Sequence, residues 1–512
     1  MGTRGGKRMS GPLRLVPDEG TPGWAEETMQ LRSLPRQRKR PRLESTATAS
    51  PELSPDPIDE LAERLADICA DAVHPYEIAA FLESDGLTDE QAALNYGRPD
   101  AFTLAEELFA KVDRRYPGTP AAAVDPWRAD PWRCALRGLV FALPGLGYLL
   151  GADLFAVHRM RFGMPSGMAA MAGATLLSWA WNQALAHRAY SWLSRVDRRS
   201  AGRALAVGAP SGALLAAGFG YLLGGPRSAL WFTGGQSAYL GAATVLLVLG
   251  QERLLLAALA PSVVGAGLVL ALPLPTVVRA AILLATLAGA LGLAVWQVVR
   301  CLRTTAVTGG SEPPRHEIAA AGLFGLGVGT LTLVAGLGAT VHHAVRPSDP
   351  PVAGGGTGAA MVALTLSLGL AEWLLYRYRS LATAALRTSH SPGGFRRRTV
   401  LLLAGCLLGY LAVVGALDLA ATRLWPHTPL VDPPRLGALL LLAATLWMAL
   451  LLQALGLSWR TAGLCLAAAA FESAVLFTGA DPLQVQLYGC GAAAVLLFLL
   501  ATVVLGRTTT HR

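Results

Sequence analysis

Apolar and polar positions divide this chain into two very different parts. Up to about residue 130 the residues are polar and charged. After Cys134, apolar runs recur to the C-terminal end, each long enough to cross a bilayer as a helix, which takes about 20 residues. Without water every backbone N–H and C=O must be paired within its own segment, so helices are the expected spanning structure. The runs predict twelve spans near 134–156, 166–186, 204–224, 229–250, 254–274, 277–299, 317–341, 357–376, 399–421, 435–457, 461–480 and 483–506. The expectation is an all-α polytopic membrane protein.

The polar part subdivides. Residues 1–57, rich in Pro, Arg, Ser and Thr, cannot bury a core and read as a disordered basic tail. Within it, Arg36-Gln-Arg-Lys-Arg-Pro-Arg42 is a basic run, either a solvated tail or a segment drawn to anionic headgroups. Residues 58–116 read as a small cytosolic helical module. Ile58, Leu61, Leu65, Ile68 and Cys69 fall at helical spacing, and His74-Pro75 breaks that helix. Thr88-Asp-Glu-Gln91 and Thr103-Leu-Ala-Glu106 each have the form of a capping box. Leu104, Leu108 and Val112 give the last helix an apolar stripe. This module carries no catalytic constellation and suits docking or regulation of a cytosolic protein. A linker over 117–133 joins it to the first transmembrane lobe, 134–306, which is followed by a second, 317–506.

Composition agrees with a membrane class: 53% of the 512 residues are hydrophobic and 15% charged. A net charge of +9 does not point to nucleic acid here, because the arginines of the apolar part sort into alternate loops. With the N-terminus inside, 18 arginines fall in inner loops and the tail: Arg188 to Arg203, Arg253, Arg300 to Arg315, Arg377 to Arg398, Arg460, Arg507 and Arg512. Only 7 fall outside: Arg159, Arg161, Arg227, Arg279, Arg346, Arg423 and Arg435. That bias places both termini in the cytoplasm and the chain in the inner membrane. The abundance of Ala, Gly, Leu and Arg over Lys suits a GC-rich bacterial genome. Six cysteines show no metal or disulfide spacing, and no cleavable signal peptide is read at the N-terminus. No cofactor is expected.

The two sets of six spans resemble each other. Gly138-Leu139, Gly145, Leu149 and Val157-His158 match Gly322-Leu323, Gly329, Leu333 and Val341-His342. Ser178, Arg188 and Gly220-Tyr221 match Ser367, Arg377 and Gly409-Tyr410. Leu240-Gly-Ala242 and the stretch from Leu254 to Ser262 match Leu436-Gly-Ala438 and Leu450 to Ser458. An even number of spans per copy gives both copies the same orientation, so the pattern predicts two pseudo-symmetric six-helix lobes, the plan of alternating-access transporters. Two transporter superfamilies share that plan. The basic loops Arg188…Arg195-Val-Asp197-Arg-Arg199…Arg203 and Tyr376-Arg-Tyr-Arg379…Arg387…Phe395-Arg-Arg-Arg398 resemble those of the multidrug/oligosaccharidyl-lipid/polysaccharide (MOP) exporters, especially the polysaccharide and lipid II flippases. The resemblance implies a flippase for a lipid-linked saccharide or another amphipathic envelope precursor, with helices one, two, seven and eight facing a central cavity.

Charges inside the bilayer cost about 2.5–3.5 kcal/mol on insertion scales and so invite a functional reading. Glu472, in the eleventh span, is a proton or cation-coupling site or a hydrogen-bonded structural residue. Glu372, in the eighth, stands five residues before Arg377, which it is placed to hold. Arg188 and Arg377, at the cytosolic ends of spans two and eight, form a candidate clamp for a lipid diphosphate, the guanidinium fork matching phosphate oxygens. Both are otherwise positive-inside anchors. Asp153 and Asp418 read as interfacial residues. His342-His343 lacks a third metal ligand, so no metal site is assigned. Two alternatives stay open: a multi-span scaffold recruiting partners through the module, and an integral-membrane glycosyltransferase. The outer loops are short and lack paired carboxylates. The arginine asymmetry makes a topological prediction. A single cysteine at position 310, on a cysteine-free background, will be labelled only from the cytosolic side, and labelling from outside overturns the orientation.

Overall fold

A computed structural model describes residues 56–113, 127, 130–155, 160–161, 164–305, 312–347, 357–389, 391–424 and 432–506. The basic tail and most of the linker lie outside them. The described residues belong to two compact units, which meet along the chain near Asp125.

The first unit holds five short helices: α1 (Pro57–Arg64), α2 (Ala66–Asp71), α3 (Pro75–Ser84), α4 (Asp89–Tyr96) and α5 (Ala101–Lys111). Ile58, Leu61, Cys69, Ile78, Leu82, Leu104 and Leu108 close a core of their own. Ile68 falls outside it, 37% exposed, because the chain breaks at Leu65 and the helical phase shifts. His74 is a turn residue: its ring Nδ1 accepts from the Tyr76 N–H at 3.3 Å and caps α3, with Pro75 in the first turn. The capping box at Thr88 and Gln91 forms on both sides. The one expected at Thr103 and Glu106 does not. Asp100 starts α5 instead, accepting from both the N–H and the hydroxyl of Thr103, at 2.7 and 2.8 Å. Thr103 is thereby one turn inside the helix and donates to the cap.

In the second unit, α6 (Pro131–Ala142) and α7 (Gly145–Phe155) are two halves of one span, separated at Leu143-Pro144. Proline lacks the N–H that would continue the helix. A two-residue antiparallel ladder, β1 (Met160–Arg161) with β2 (Met164–Pro165), follows. Then come α8 (Ser166–Leu193), α9 (Arg198–Leu223), α10 (Arg227–Val248), α11 (Glu252–Ala271) and α12 (Thr276–Leu302). The second lobe is α13 (Arg315–Val345), α14 (Thr357–Thr388), α15 (Pro392–Leu424), α16 (Pro433–Ala454), α17 (Ser458–Leu476) and α18 (Pro482–Leu505). Among the described residues, nine of these spans are long and apolar enough to cross a membrane by themselves. The other three, α8, α10 and α17, pack among them to complete twelve. Several helices outrun their apolar runs; α14 continues twelve residues past 376 and carries Arg377, Arg379 and Arg387 on its last turns.

The same helix pairings occur in both lobes. In the first, span two packs on three and four, three on four and six, four on five and six, five on six, and one on four, five and six. Adding six to each number gives pairings that are all present in the second lobe. The repeat is therefore real at the level of helix packing, and parallel. Its residue-level matches do not all hold. Tyr410 is buried with its hydroxyl 3.0 Å from Ser367 Oγ, whereas Tyr221 is 70% exposed. Across the α8–α9 contact Leu185 lies on Gly208 and Trp181 on Gly212, so the antiparallel register puts Tyr221 well past Ser178. The stretch Leu254–Ser262 lies in span five, but Leu450–Ser458 runs through the end of span ten. Leu- and Ala-rich helices repeat short words by composition, while helix order reflects the ancestral packing.

The first unit makes an acid-stability prediction. Two N–H and O–H donors of Thr103 hold the Asp100 carboxyl below its ordinary range, and the Arg98 guanidinium does the same for Glu107. Carboxylates depressed in the fold stabilise it above their unfolded values, and that contribution is lost as pH falls through the folded ones. Segment 56–113 with Asp100→Ala will melt below the parent at pH 7, and the gap will shrink on acidification, as read by circular dichroism. An undiminished gap at acid pH contradicts this account.

Candidate functional site

The lobes meet at two related crossings. Span one packs on span eight, and span two on span seven, and adding six converts one crossing into the other. The four helices that the resemblance implies face a central cavity are those that join the lobes.

At the first crossing the backbones touch. A Cβ on Gly138 of α6 would stand 2.8 Å from Gly369 N of α14, and one on Gly369 would run into the Cys134 carbonyl. Only two glycines permit this approach. One residue before Gly138 and three after Gly369 stand Arg137 and Glu372, and the close crossing brings them together. Arg137 Nη1 donates to Glu372 Oε1, across the lobe boundary. Its Nε donates to Glu252 Oε1 at 2.6 Å, within its own lobe. Glu252 opens α11, where a carboxylate also faces the positive end of the helix dipole. The Glu252 side chain is 9% exposed, Glu372 21% and Arg137 26%, so the trio is largely withdrawn from solvent. One guanidinium between two carboxylates leaves a formal charge of −1.

The second crossing is built differently. Gly322, Gly325 and Gly329 line one face of α13 and admit Ala184, Gln183 and Leu176 of α8, with Ala180 and Trp179 carbonyls in van der Waals range. Its titratable side chains lie at the helix ends. Arg188 Nη2 donates to Glu312 at 2.8 Å, both well exposed, and His187 Nε2 lies 3.7 Å from Glu317. Spans one and seven start on the same side of the bundle, and Arg137, Glu312 and Glu317 all belong to those starting segments. The bridging charges therefore gather on one side.

The residues singled out from sequence fare unequally. Glu372 binds Arg137 and not Arg377, which is exposed at another face of the helix. On a helix a spacing of five residues puts two side chains on different faces. Buried instead is Arg379, whose guanidinium stacks 3.9 Å over the Trp127 ring. Arg188 sits at the end of α8, bound to Glu312. Glu472 is fully buried between α17 and α18, pressed against Gly489. The Cys490 thiol donates to its Oε1 at 3.1 Å, and its Oε2 has no hydrogen-bond partner among the described residues. Asp418 is not interfacial: it is 4% exposed and accepts from Arg435 at 2.9 Å, so a charge assigned to an outer loop is buried with it. Gln297 of α12 donates to Gln251, the residue before α11, at 3.2 Å, a polar link between two spans. His342 Nδ1 lies 3.0 Å from the Ala480 carbonyl. The side chain of Asp153 lies outside the described residues.

Arg137 was not among the sequence candidates, although it stands inside the expected first span. A basic residue within an apolar run is as informative as an acidic one, and Glu252 and Glu372 are the acids that answer it.

No protein-family model matches the chain, and no curated protein matches it in sequence. Among solved structures, an outward-facing multidrug-resistance MATE family transporter of the MOP superfamily aligns with 76% of this chain and 99% of its own, at 16% identity and a TM-score of 0.47. A MATE structure in complex with MaD3S aligns over the same shares at 16% identity and a TM-score of 0.42.

The trio predicts an order of stabilities. Removing one partner of a buried charge pair costs about 3–5 kcal/mol, whereas replacing the whole group by neutral residues of similar volume is often neutral. Arg137→Ala will lower the melting temperature in detergent more than the triple change Arg137→Met, Glu252→Gln and Glu372→Gln. The reverse order would show that the three charges do not compensate one another.

Proposed function

We propose that this protein is an alternating-access transporter of the MOP type that flips a lipid-linked saccharide, or another amphipathic envelope precursor with an anionic headgroup, across the inner membrane. The observation that carries this reading is the ionic bridge at the first crossing: an arginine of one lobe, held in place by a glutamate of its own lobe, reaches a glutamate of the other.

That arrangement supplies an exchangeable contact. When the lobes separate at this side, Arg137 keeps Glu252 and loses Glu372. Its freed N–H groups then face the gap between the lobes, where a phosphate oxygen can take the place of the Glu372 carboxylate. Glu372 acts as an internal stand-in for the substrate anion. Release of the anion on the other side restores the bridge. The cationic path continues at the helix ends, where Arg188 and the exposed Arg377 receive the diphosphate before it reaches Arg137. Glu472 is the proton or cation-coupling group, supported by its complete burial and its unpaired oxygen. Both termini are cytoplasmic.

The test uses the purified protein in vesicles containing a fluorescent polyprenyl-diphosphate saccharide, with flipping read by quenching from outside. Arg137→Lys keeps the charge but loses the fork, and is expected to insert normally and slow flipping at least about tenfold, the equivalent of roughly 1.4 kcal/mol. Arg188→Lys and Arg377→Lys together test the outer part of the path. Parent-like flipping by all three variants sinks the anion-relay reading. Absence of flipping by the parent sinks the substrate class.

A further inference from the structure

Within residues 56–113 stand fifteen Asp and Glu against three basic residues, Arg64, Arg98 and Lys111. The net charge there is −12, in a chain whose total is +9. Two of the three cations are already committed: Arg98 Nε donates to Glu107 at 2.6 Å, and Lys111 is bound to Asp59 with Asp56 beside it. Some acids serve the fold. Asp56, Asp89 and Asp100 accept from backbone N–H groups, and Glu77 accepts from the Val73 N–H. Most of the rest are exposed, Asp71 and Glu106 among them, and neither of these two has an ion-pair partner among the described residues.

One apolar patch is exposed on this acidic surface. Val73 is 79% exposed, Tyr76 59% and Phe102 46%. Tyr76 and Phe102 meet edge to face at 5.6 Å, and His74 joins them at 4.5 Å from Tyr76. Glu77 adjoins the patch, and Glu106 follows Phe102 by one helical turn. Aromatic side chains clustered in solvent, ringed by one sign of charge, are the composition of a recognition surface and not of a solvated face.

We propose that this surface is the receptor for the chain's own basic run, Arg36–Arg42, with its flanking leucines. The run places five cations in seven residues, between Leu34 and Leu43. Cations match the surrounding carboxylates, and a leucine side chain supplies the apolar anchor for the aromatic patch. Reach is sufficient. Thirteen peptide steps separate Leu43 from Asp56, allowing up to roughly 45 Å of extended chain. A module of this size has a radius of gyration of only about 10 Å. Tethering raises the local concentration of the run to the millimolar range, far above that of a separate basic ligand. While docked, the run is withheld from anionic headgroups, its other electrostatic partner.

The test is made on the full chain. Phe102→p-benzoylphenylalanine places a photo-cross-linker at the patch with little change of shape. Irradiation at low salt is expected to yield an intrachain adduct that maps by mass spectrometry to residues 31–43. Arg36→Glu, Arg38→Glu and Arg40→Glu together should abolish it. Tryptic cleavage within the run should accelerate at least about fivefold at low salt in the Tyr76→Ser, Phe102→Ser variant. In high salt the difference should vanish as the charges are screened. Adducts mapping to lipid, to a second copy or to another protein overturn the proposal. So does an adduct that survives the charge reversal, or cleavage that is equally fast in parent and variant.

Discussion

A guanidinium cannot stay inside an apolar bundle unless carboxylates meet it there, and at Arg137 that requirement is answered by two lobes at once. Glu252 satisfies it locally and Glu372 across the boundary. The Gly138–Gly369 contact makes the second bond possible, because a side chain at either position would hold the helices apart. The charges in turn give the glycine contact its significance. Two backbones in van der Waals contact, with a buried ion pair one turn away, fix spans one and eight in register, and with them the lobes. The break at Pro144 lies just beyond, so the half of span one that carries Arg137 is held by the crossing while α7 takes its own direction.

Much of the architecture could be read directly from the chain. Each apolar run became a helix, since length and apolarity are set locally and the bilayer leaves no other solution. The cap at Thr88 was legible for the same reason, both partners lying within one turn. Legibility failed wherever contacts between distant residues decide. Glu372 precedes Arg377 by five residues, but its partner is Arg137, 235 positions away. Asp418 reads as interfacial until Arg435 is seen folding back onto it. The repeat shows the boundary best. Helix order survived duplication, so the pairing pattern is intact, but individual side chains drifted, and Tyr410 and Tyr221 now occupy unlike surroundings. Short shared words in Leu- and Ala-rich helices were therefore right about the duplication and wrong about several of its equivalences.

Charge is also segregated along the chain. The acidic excess of residues 56–113 is balanced by arginines elsewhere in the sequence, so the modest total of +9 conceals two strongly charged and opposite regions. Such segregation has little to do with folding, because the first unit closes its own core with Leu, Ile and Cys. It bears on association, where summed charge steers encounters over distances that packing cannot reach.

The two crossings between the lobes are equivalent in topology and opposite in chemistry. At spans two and seven, glycines admit neighbouring side chains over several turns, and the Arg188–Glu312 ion pair at the helix ends is exposed, of the kind worth about 0–1 kcal/mol. Van der Waals contact of that sort has no ligand that competes for it. At spans one and eight the withdrawn ion pair is costly to break one partner at a time, and it is open to competition, because any anion that reaches Arg137 offers it what Glu372 does. A ligand shifts a conformational equilibrium only by binding one state better than the other. Under the proposed function the open state exposes the Arg137 N–H groups, and the closed state, as in this structure, occupies them with Glu372. Under that reading an anionic headgroup discriminates between the states most strongly at the first crossing, whereas the glycine contact of the second offers it nothing to compete for. Under the proposed function, a symmetric pair of contacts has diverged into a persistent hinge-like seam and a substrate-sensitive one.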